Sequence, residues 1–168
     1  MKSGIEIERK YVIKMPKLDF LRTLDGYTES DIVQVYLPSV GQNTSRIRKR
    51  TADGVSVYTK TEKRRIDEMS ALETESEIDA AHFAELMKNP RRGSAPIIKK
   101  RVTFIYDSGL FEVDIYPNWQ RSCIMEIELS DKDASFSFPP FIELVREVTG
   151  EKAYSNSSMS MSFPKELI

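Results

Sequence analysis

Charged side chains recur at every second position along most of the extended segments of this 168-residue chain. The first segment, residues 5–12, places isoleucines on one face of a strand and Glu6, Glu8 and Lys10 on the other. A single strand of this kind has a solvated polar face in an ordinary sheet. Repetition in nearly every strand favours a barrel in which the charged faces enclose a shared hollow. The other members of the pattern are Arg46, Arg48, Arg50, Lys60, Glu73, Glu75, Glu77, Lys99, Arg101, Glu112, Asp114, Glu126 and Glu128.

The rest of the pattern predicts a mainly β chain with short helices. Turn signals at Asp53-Gly54 and at residues 107–109 predict two hairpins, and Asp79 is suited to cap a helix that ends before Pro90. Strands are predicted at residues 5–12, 31–37, 44–51, 55–61, 71–79, 96–106, 111–116 and 124–129, and helices at 18–24, after Asp79 and at 141–148. Residues 61–70 are predicted to be a solvated loop, with a flexible rim that collects anions as the alternative. We therefore expect one domain, residues 1–168, built as an eight-stranded antiparallel barrel with a charged lumen and helices packed outside.

Composition limits the classes of partner. The chain has 25 Lys and Arg against 26 Asp and Glu, so bulk charge does not favour nucleic acid. Cys123 has no second cysteine for an internal disulfide, no apolar leader follows Met1, and no apolar run is long enough to cross a bilayer. We expect a protein of the reducing cytoplasm with no nucleic-acid or membrane partner.

A lumen lined by dense charge of both signs needs counter-ions. Like charges crowded in a concave site repel each other, and desolvation raises the cost. The two sets either neutralise each other in an inert network or share an anionic ligand. A phosphate chain with Mg²⁺ or Mn²⁺ satisfies both sets, because guanidinium groups bind phosphoryl oxygens and hard divalent cations bind carboxylate oxygens.

The order of these residues resembles a known family. Glu6-x-Glu8-x-Lys10 resembles the ExExK signature of the CYTH family, the triphosphate tunnel metalloenzymes. The resemblance spans almost the whole chain and implies an eight-stranded antiparallel tunnel, the architecture that the alternation also favours. It continues through Arg46-x-Arg48, Tyr58-x-Lys60, Glu75-x-Glu77-Ile78, Lys99-x-Arg101, Asp114, Glu126-x-Glu128 and residues 147–156.

The resemblance also implies a role for each position. The implied substrate-binding cations are Lys10, Arg46, Arg48, Lys60, Lys99 and Arg101. The implied ligands of a divalent cation, Mg²⁺ or Mn²⁺, are Glu6, Glu8, Glu126 and Glu128. The implied catalytic residues are Glu6, Glu8, Lys10, Glu75, Glu77 and Asp114. Trp119 is a candidate stacking group for an organic substrate, and the roles of Lys152 and Tyr154 stay open.

The function expected from this resemblance is metal-dependent hydrolysis of inorganic triphosphate, with nucleoside triphosphates as further candidate substrates. An adenylate cyclase or a thiamine-triphosphatase of the same fold is an alternative. A non-catalytic binder of triphosphorylated ligands is an alternative of another class, and an inert barrel with internally paired charges is a third. The expected partner is a small-molecule triphosphate, and a homodimer is also allowed.

Overall fold

The computed structural model describes residues 1–168, and all of its strands belong to one antiparallel sheet. The strands are β1 (Lys2–Lys14), β2 (Thr28–Leu37), β3 (Asn43–Ala52), β4 (Val55–Arg65), β5 (Ser70–Ile78), β6 (Ile97–Tyr106), β7 (Gly109–Ile115), β8 (Ser122–Glu128) and β9 (Leu144–Glu147). The helices are α1 (Leu18–Leu21), α2 (Ala80–Leu86) and α3 (Asn156–Met161), with a 3₁₀ turn at Lys152–Tyr154. None of these helices is both long and apolar enough to span a membrane.

The first strand closes the barrel. The eight strands β1 to β8 follow the order β5-β4-β3-β2-β6-β7-β8-β1, and β1 pairs again with β5. The first half of β1 pairs with β5 and its second half pairs with β8. The short strand β9 adds to β1 where β5 has ended, with Tyr11 opposite Glu147. The structure confirms the predicted eight-stranded antiparallel barrel and adds a ninth strand.

Two tight hairpins set the register of the neighbouring strands. Ala52 pairs with Val55 across Asp53 and Gly54, whose φ angles are 50° and 76°. Tyr106 pairs with Gly109 across Asp107 and Ser108, which also have positive φ. Positive φ at both central residues matches the right-handed twist of the flanking strands. Both predicted hairpins are confirmed.

The apolar core lies mainly outside the barrel. The outward faces of β1, β6, β7 and β8 form one buried cluster that includes Val102, Phe104, Phe111 and Met125. The segment before β9 covers this cluster with aromatic rings, and Phe141 packs 5.7 Å from Phe104 between ring centroids. A smaller cluster lies under α2, where the predicted cap Asp79 accepts a hydrogen bond from the backbone N–H of His82. The inner faces are thereby left free for polar side chains.

A third apolar cluster fills one end of the barrel. Val12 and Ile124 continue the inward faces of β1 and β8, and Tyr116 and Trp119 pack against them with the carboxyl-terminal segment. Helix α3 begins at the cap Ser155, whose hydroxyl accepts from the N–H of Ser158. The sequence analysis did not predict this helix.

Two predicted segments differ from the structure. Residues 141–148 do not form a helix, because residues 139–143 cover the outer core and Leu144–Glu147 pair with the free edge of β1. Residues 61–70 are not a solvated loop, because β4 continues to Arg65 in register with β5. Only the short connection between these two strands is a turn.

Candidate active site

The inward side chains of the barrel surround a cavity of about 580 Å³. Thirty-three residues line it and only five of them are hydrophobic, so the cavity presents polar and charged groups almost throughout. Buried polar groups without partners are costly, so each charged side chain here needs an opposite charge, a polar group of the protein, water or a ligand as its partner.

Three arginines of β3 project into this cavity from alternate positions. The Arg48 guanidinium donates to Oε1 of Gln34, at 3.1 Å from Nε and 2.9 Å from Nη2, and has no carboxylate partner. Arg50 donates to the hydroxyl of Ser30, and the nearest carboxylate oxygen to Arg46 is 3.7 Å away on Glu73. Burial, together with the charges of Arg46 and Arg101, lowers the pKa of Arg48 to about 10. The β3 side of the cavity therefore holds two guanidinium groups, those of Arg48 and Arg50, that no carboxylate of the protein neutralises.

Arg101 and Lys99 differ from Arg48 and Arg50 in having a carboxylate partner, because both are paired with Asp114. Lys99 Nζ lies 2.6 Å from Asp114 Oδ2, and Arg101 donates to both oxygens of the same carboxylate at 2.7 and 2.8 Å. Burial acts to raise the pKa of Asp114, but the two cations outweigh it and hold this pKa far below its usual range. Asp114 thus joins both cations in one cluster of ion pairs, and Arg101 has further carboxylate partners in Glu112 and Glu126.

Carboxylates from β1 and β8 form the opposite side. Glu8 lies opposite Glu128 across the strand pair, and Lys10 lies opposite Glu126. Lys10 Nζ is 2.9 Å from Glu126 and 3.7 Å from Glu8, while Glu6 accepts from another ammonium group of the cavity. Acidic side chains thus face the β3 arginines across the hollow.

The pKa values of two of these carboxyl groups, Glu8 and Glu126, are shifted in opposite directions. Burial and the nearby charge of Glu126 raise the pKa of Glu8 to about 7. Burial also acts to raise the pKa of Glu126, but the charges of Lys10 and Arg101 lower it to about 2. Burial is the larger cause for Glu8 and the charge of Glu126 adds to it, so the protonated form of Glu8 is favoured below about pH 7.

The carboxylates fit a hard divalent cation by their chemistry. Oxygen donors are the ligands that Mg²⁺ and Mn²⁺ prefer, and the repulsion between Glu8 and Glu126 is the kind that a bound cation relieves. In the structure no group of three or more His, Cys, Asp or Glu side chains is close enough together to hold a metal ion. Ammonium groups lie between the carboxylates instead, so cation binding would require these side chains to change partners.

The fold of this chain is shared by solved structures of other proteins. No family model matches the sequence, and no curated protein matches it. The structure is similar to that of the inorganic triphosphatase NE1496, with a TM-score of 0.61 and 26% identity over 95% of this chain and 97% of that one. The chain has the CYTH fold. This is the fold of the triphosphate tunnel metalloenzymes, as the sequence resemblance implied.

Two further structures are similar to this one with lower TM-scores. A conserved hypothetical protein from Pyrococcus furiosus has a TM-score of 0.54 and 27% identity, over 76% of this chain and 80% of that one. A putative adenylyl cyclase from Hippeastrum, described as having a dominant triphosphatase activity, has a TM-score of 0.51 and 16% identity over 74% and 80% of the two chains. At 16% identity the latter likeness concerns the fold alone.

Most of the side chains predicted from the sequence to form the site meet around the central cavity. Glu75 also has a defined orientation, since it accepts from the hydroxyl of Thr61 at 2.9 Å. Lys99 and Asp114 point inward but are covered, so they do not line the cavity. Glu77 lies on the same face of β5 as Glu75, but it is exposed and does not line the cavity. The predicted residues that line the cavity are Glu6, Glu8, Lys10, Arg46, Arg48, Glu75, Arg101, Glu126 and Glu128.

The structure corrects the placement of Lys60. Lys60 pairs with Ile47, which is buried in the cluster under α2, and its ammonium lies 3.6 Å from Glu62 on the outside of the barrel. The β4 lysine inside the cavity is Lys63, whose Nζ is 2.7 Å from Glu6 and 3.6 Å from Glu73. The predicted two-residue hairpin already indicated this choice, because it pairs the even-numbered residues of β3 with the odd-numbered residues of β4. Lys63 therefore shares the face of Arg46 and Arg48, and Lys60 does not.

Other residues at or beside the cavity were given no metal-binding, substrate-binding or catalytic role from the sequence, although Arg50, Glu73 and Glu112 belong to the alternating pattern. Glu73 lies between Arg46 and Lys63. Gln34, which orients Arg48, has no charge and gives no pattern signal. Trp119 is buried, and its indole N–H donates to the carbonyl of Pro164, so it is not available to stack on a ligand. Further lining residues are Lys2, Arg50, Arg65, Glu112 and Lys152.

The two β4 lysines provide a matched test of which face meets the ligand. We expect Lys63→Met to weaken triphosphate binding about tenfold, because a charge-assisted contact to phosphate is worth about 1.5–3 kcal/mol. Lys60→Met should leave binding unchanged. Titration calorimetry with sodium tripolyphosphate measures both variants. An equal effect of the two substitutions would contradict the observed register.

The raised pKa of Glu8 predicts a pH dependence of stability in the absence of metal. Between the usual carboxyl pKa near 4.5 and about 7, the folded protein keeps a proton that the unfolded chain has lost. The free energy of unfolding contributed by this group therefore falls as pH rises through that range and levels off above it. Thermal unfolding with EDTA at pH 4.5 to 8 should show this fall relative to Glu8→Gln. Parallel profiles for the two proteins would disprove the assignment.

Proposed function

We propose that the protein hydrolyses a phosphoanhydride bond of inorganic triphosphate in its central cavity, with Mg²⁺ or Mn²⁺ as cofactor. One observation carries the proposal. The guanidinium groups of Arg48 and Arg50 have no carboxylate partner, that of Arg46 has only Glu73 at 3.7 Å, and all three face acidic side chains across a polar cavity of about 580 Å³. A linear polyanion would neutralise these arginines along the length of β3.

The basic residues would hold the phosphate chain. Arg46, Arg48 and Arg50 follow each other at alternate positions, so their guanidinium groups can donate to successive phosphoryl groups. Lys63 and Lys10 extend this positive surface toward β1. Phosphoryl transfer depends mainly on positioning and on stabilising charge at the transferring group, which an array of fixed cations provides.

The acidic residues of β1 and β8 would hold the cation. Glu6, Glu8, Glu126 and Glu128 supply carboxylate oxygens on neighbouring strands. A bound Mg²⁺ or Mn²⁺ would neutralise charge on the phosphate chain and polarise a water molecule. Glu75, whose Oε2 is occupied by Thr61, has its second oxygen free to accept a proton from an attacking water. No covalent nucleophile is required.

The lining favours inorganic triphosphate over an organic one. Trp119 is buried away from the cavity. Tyr36, an aromatic residue of the lining, has one face covered by the guanidinium of Arg91, 5.0 Å from the ring centroid. Tyr36 is also only 3% exposed, so a base or thiazole ring finds little free aromatic surface on either residue. The identity of 26% to the inorganic triphosphatase NE1496 over almost the whole chain supports the same preference.

A phosphate-release assay tests the proposal. Tripolyphosphate, ATP and thiamine triphosphate are each incubated with the purified protein and Mg²⁺ or Mn²⁺, and products are also separated by chromatography. We expect release of phosphate from tripolyphosphate at the highest kcat/KM, and none with EDTA. Formation of cyclic AMP from ATP would favour a cyclase. Tight tripolyphosphate binding without turnover would favour a non-catalytic binder.

A further inference from the structure

The partner of Arg48 differs from those of four other inward cations, whereas Arg50 also has a neutral partner, the hydroxyl of Ser30. Lys10, Lys63, Lys99 and Arg101 each lie within 3 Å of a carboxylate oxygen. Arg48 instead meets the neutral amide of Gln34, whose Oε1 accepts from Nε and Nη2 of the guanidinium. The Gln34 side chain is fully buried, so this contact lies within the barrel wall.

The other end of the amide is fixed as well. Gln34 Nε2 donates to the hydroxyl oxygen of Tyr36 at 2.8 Å. The opposite orientation of the amide would place its NH₂ group against the donors of Arg48, which is unfavourable. The amide therefore has one orientation in which both ends are satisfied.

Tyr36 is held in turn by a contact from outside β2. The guanidinium of Arg91 lies over its ring, and the backbone N–H of Arg91 donates to the Tyr36 carbonyl at 2.8 Å. Arg91 itself donates to Ser157 and Ser160 of α3. A continuous set of contacts thus connects α3 with Arg48.

A neutral partner has a consequence that a carboxylate would not have. A carboxylate at this position would form an ion pair with Arg48 and offset its charge, as Asp114 forms ion pairs with Lys99 and Arg101. The amide fixes the direction of the guanidinium and leaves its net charge for another anion. The remaining donors of Arg48 are available to a ligand in the cavity.

We propose that Gln34 is a positioning residue for the triphosphate, acting through Arg48 by orienting this guanidinium without neutralising its charge. The proposal rests on the proposed function, because it assumes that Arg48 binds a phosphate group. Tyr36 supports the orientation by accepting from the amide. Gln34 itself does not line the cavity, so it does not contact the substrate.

Two substitutions of similar size separate charge from shape. Gln34→Glu places a carboxylate beside Arg48, and Gln34→Met removes the hydrogen bonds while keeping the length of the side chain. Gln120→Glu, at an exposed site outside the cavity, is the control for net charge. The dissociation constant of sodium tripolyphosphate is measured by titration calorimetry with EDTA, alongside Tm for each protein. KM and kcat are then measured with Mg²⁺.

We expect Gln34→Glu to weaken binding at least tenfold and Gln34→Met about threefold, with the control unchanged. A purely structural role would instead rank the variants by their loss of Tm, and equal binding by Gln34→Glu and the wild type would overturn the positioning role. If the wild type binds tripolyphosphate but does not hydrolyse it while Gln34→Glu binds weakly, only the proposed hydrolysis fails. If the wild type hydrolyses it and Gln34→Glu binds normally, only the positioning role fails. Absence of binding to the wild type would overturn both.

Discussion

Glu126→Gln is expected to lower kcat for tripolyphosphate by about 100-fold or more. Glu126 interacts with several charged groups of the site. It contacts Lys10 at 2.9 Å and Arg101 at 3.3 Å, and its charge adds to burial in raising the pKa of Glu8. Loss of partners around metal ligands commonly costs 10- to 100-fold, and loss of a ligand itself costs at least as much. Steady-state phosphate release with Mg²⁺ and Mn²⁺ measures the effect.

A metal role predicts more than a low rate for this variant. The Mg²⁺ concentration at half-maximal activity should rise about tenfold or more, since one oxygen donor has lost its charge. Glu85→Gln is the matched control, because Glu85 is exposed on α2 and pairs only with Lys88. A kcat of Glu126→Gln within threefold of the wild type, with unchanged Mg²⁺ dependence, would remove Glu126 from the cation site.

Arg48→Met is expected to lower kcat/KM for tripolyphosphate by about 100-fold, with little change in stability. The loss corresponds to one or two charge-assisted hydrogen bonds to phosphate. Removal of a buried cation without a carboxylate partner relieves desolvation and the repulsion from Arg46 and Arg101, but it leaves Gln34 Oε1 without a donor. These effects oppose each other, so we expect the free energy of unfolding to change by about 1 kcal/mol or less.

Urea unfolding and steady-state kinetics on the same preparations test both parts of this expectation. Arg64→Met is the control, because Arg64 is exposed on β4 and has no ion pair. A large fall in stability of Arg48→Met together with a proportional loss of activity would indicate a structural arginine. Retention of wild-type kcat/KM would show that the substrate does not contact this guanidinium.

The fold was largely predictable because its signal is local. Alternation of charged and apolar residues defines the two faces of a strand, and turn residues at 53–54 and 107–108 define two hairpins. Residues 141–148 were misjudged because four residues, Leu144–Glu147, are too few to show a period. Their conformation depends on the open edge of β1, which exists only after β5 has ended.

The part of the candidate site that follows from a single strand was predictable, because residues two apart in a strand always lie on the same face. Glu6, Glu8 and Lys10 share a face whatever their neighbours are. Lys60 was misplaced because the choice between Lys60 and Lys63 depends on the register between β3 and β4. A shift of one residue reverses the face of every side chain in a strand.

The sequence by itself determined which residues share a face and that this chain would enclose charges of both signs. Only the tertiary structure decided the partners of those charges, such as the amide of Gln34 for Arg48 and the carboxylate of Asp114 for Lys99 and Arg101. The physical reason is the distance along the sequence between the residues that determine each property. The face of a side chain follows from the geometry of its own strand, whereas the groups that neutralise it come from strands distant in sequence and meet it only when the barrel closes.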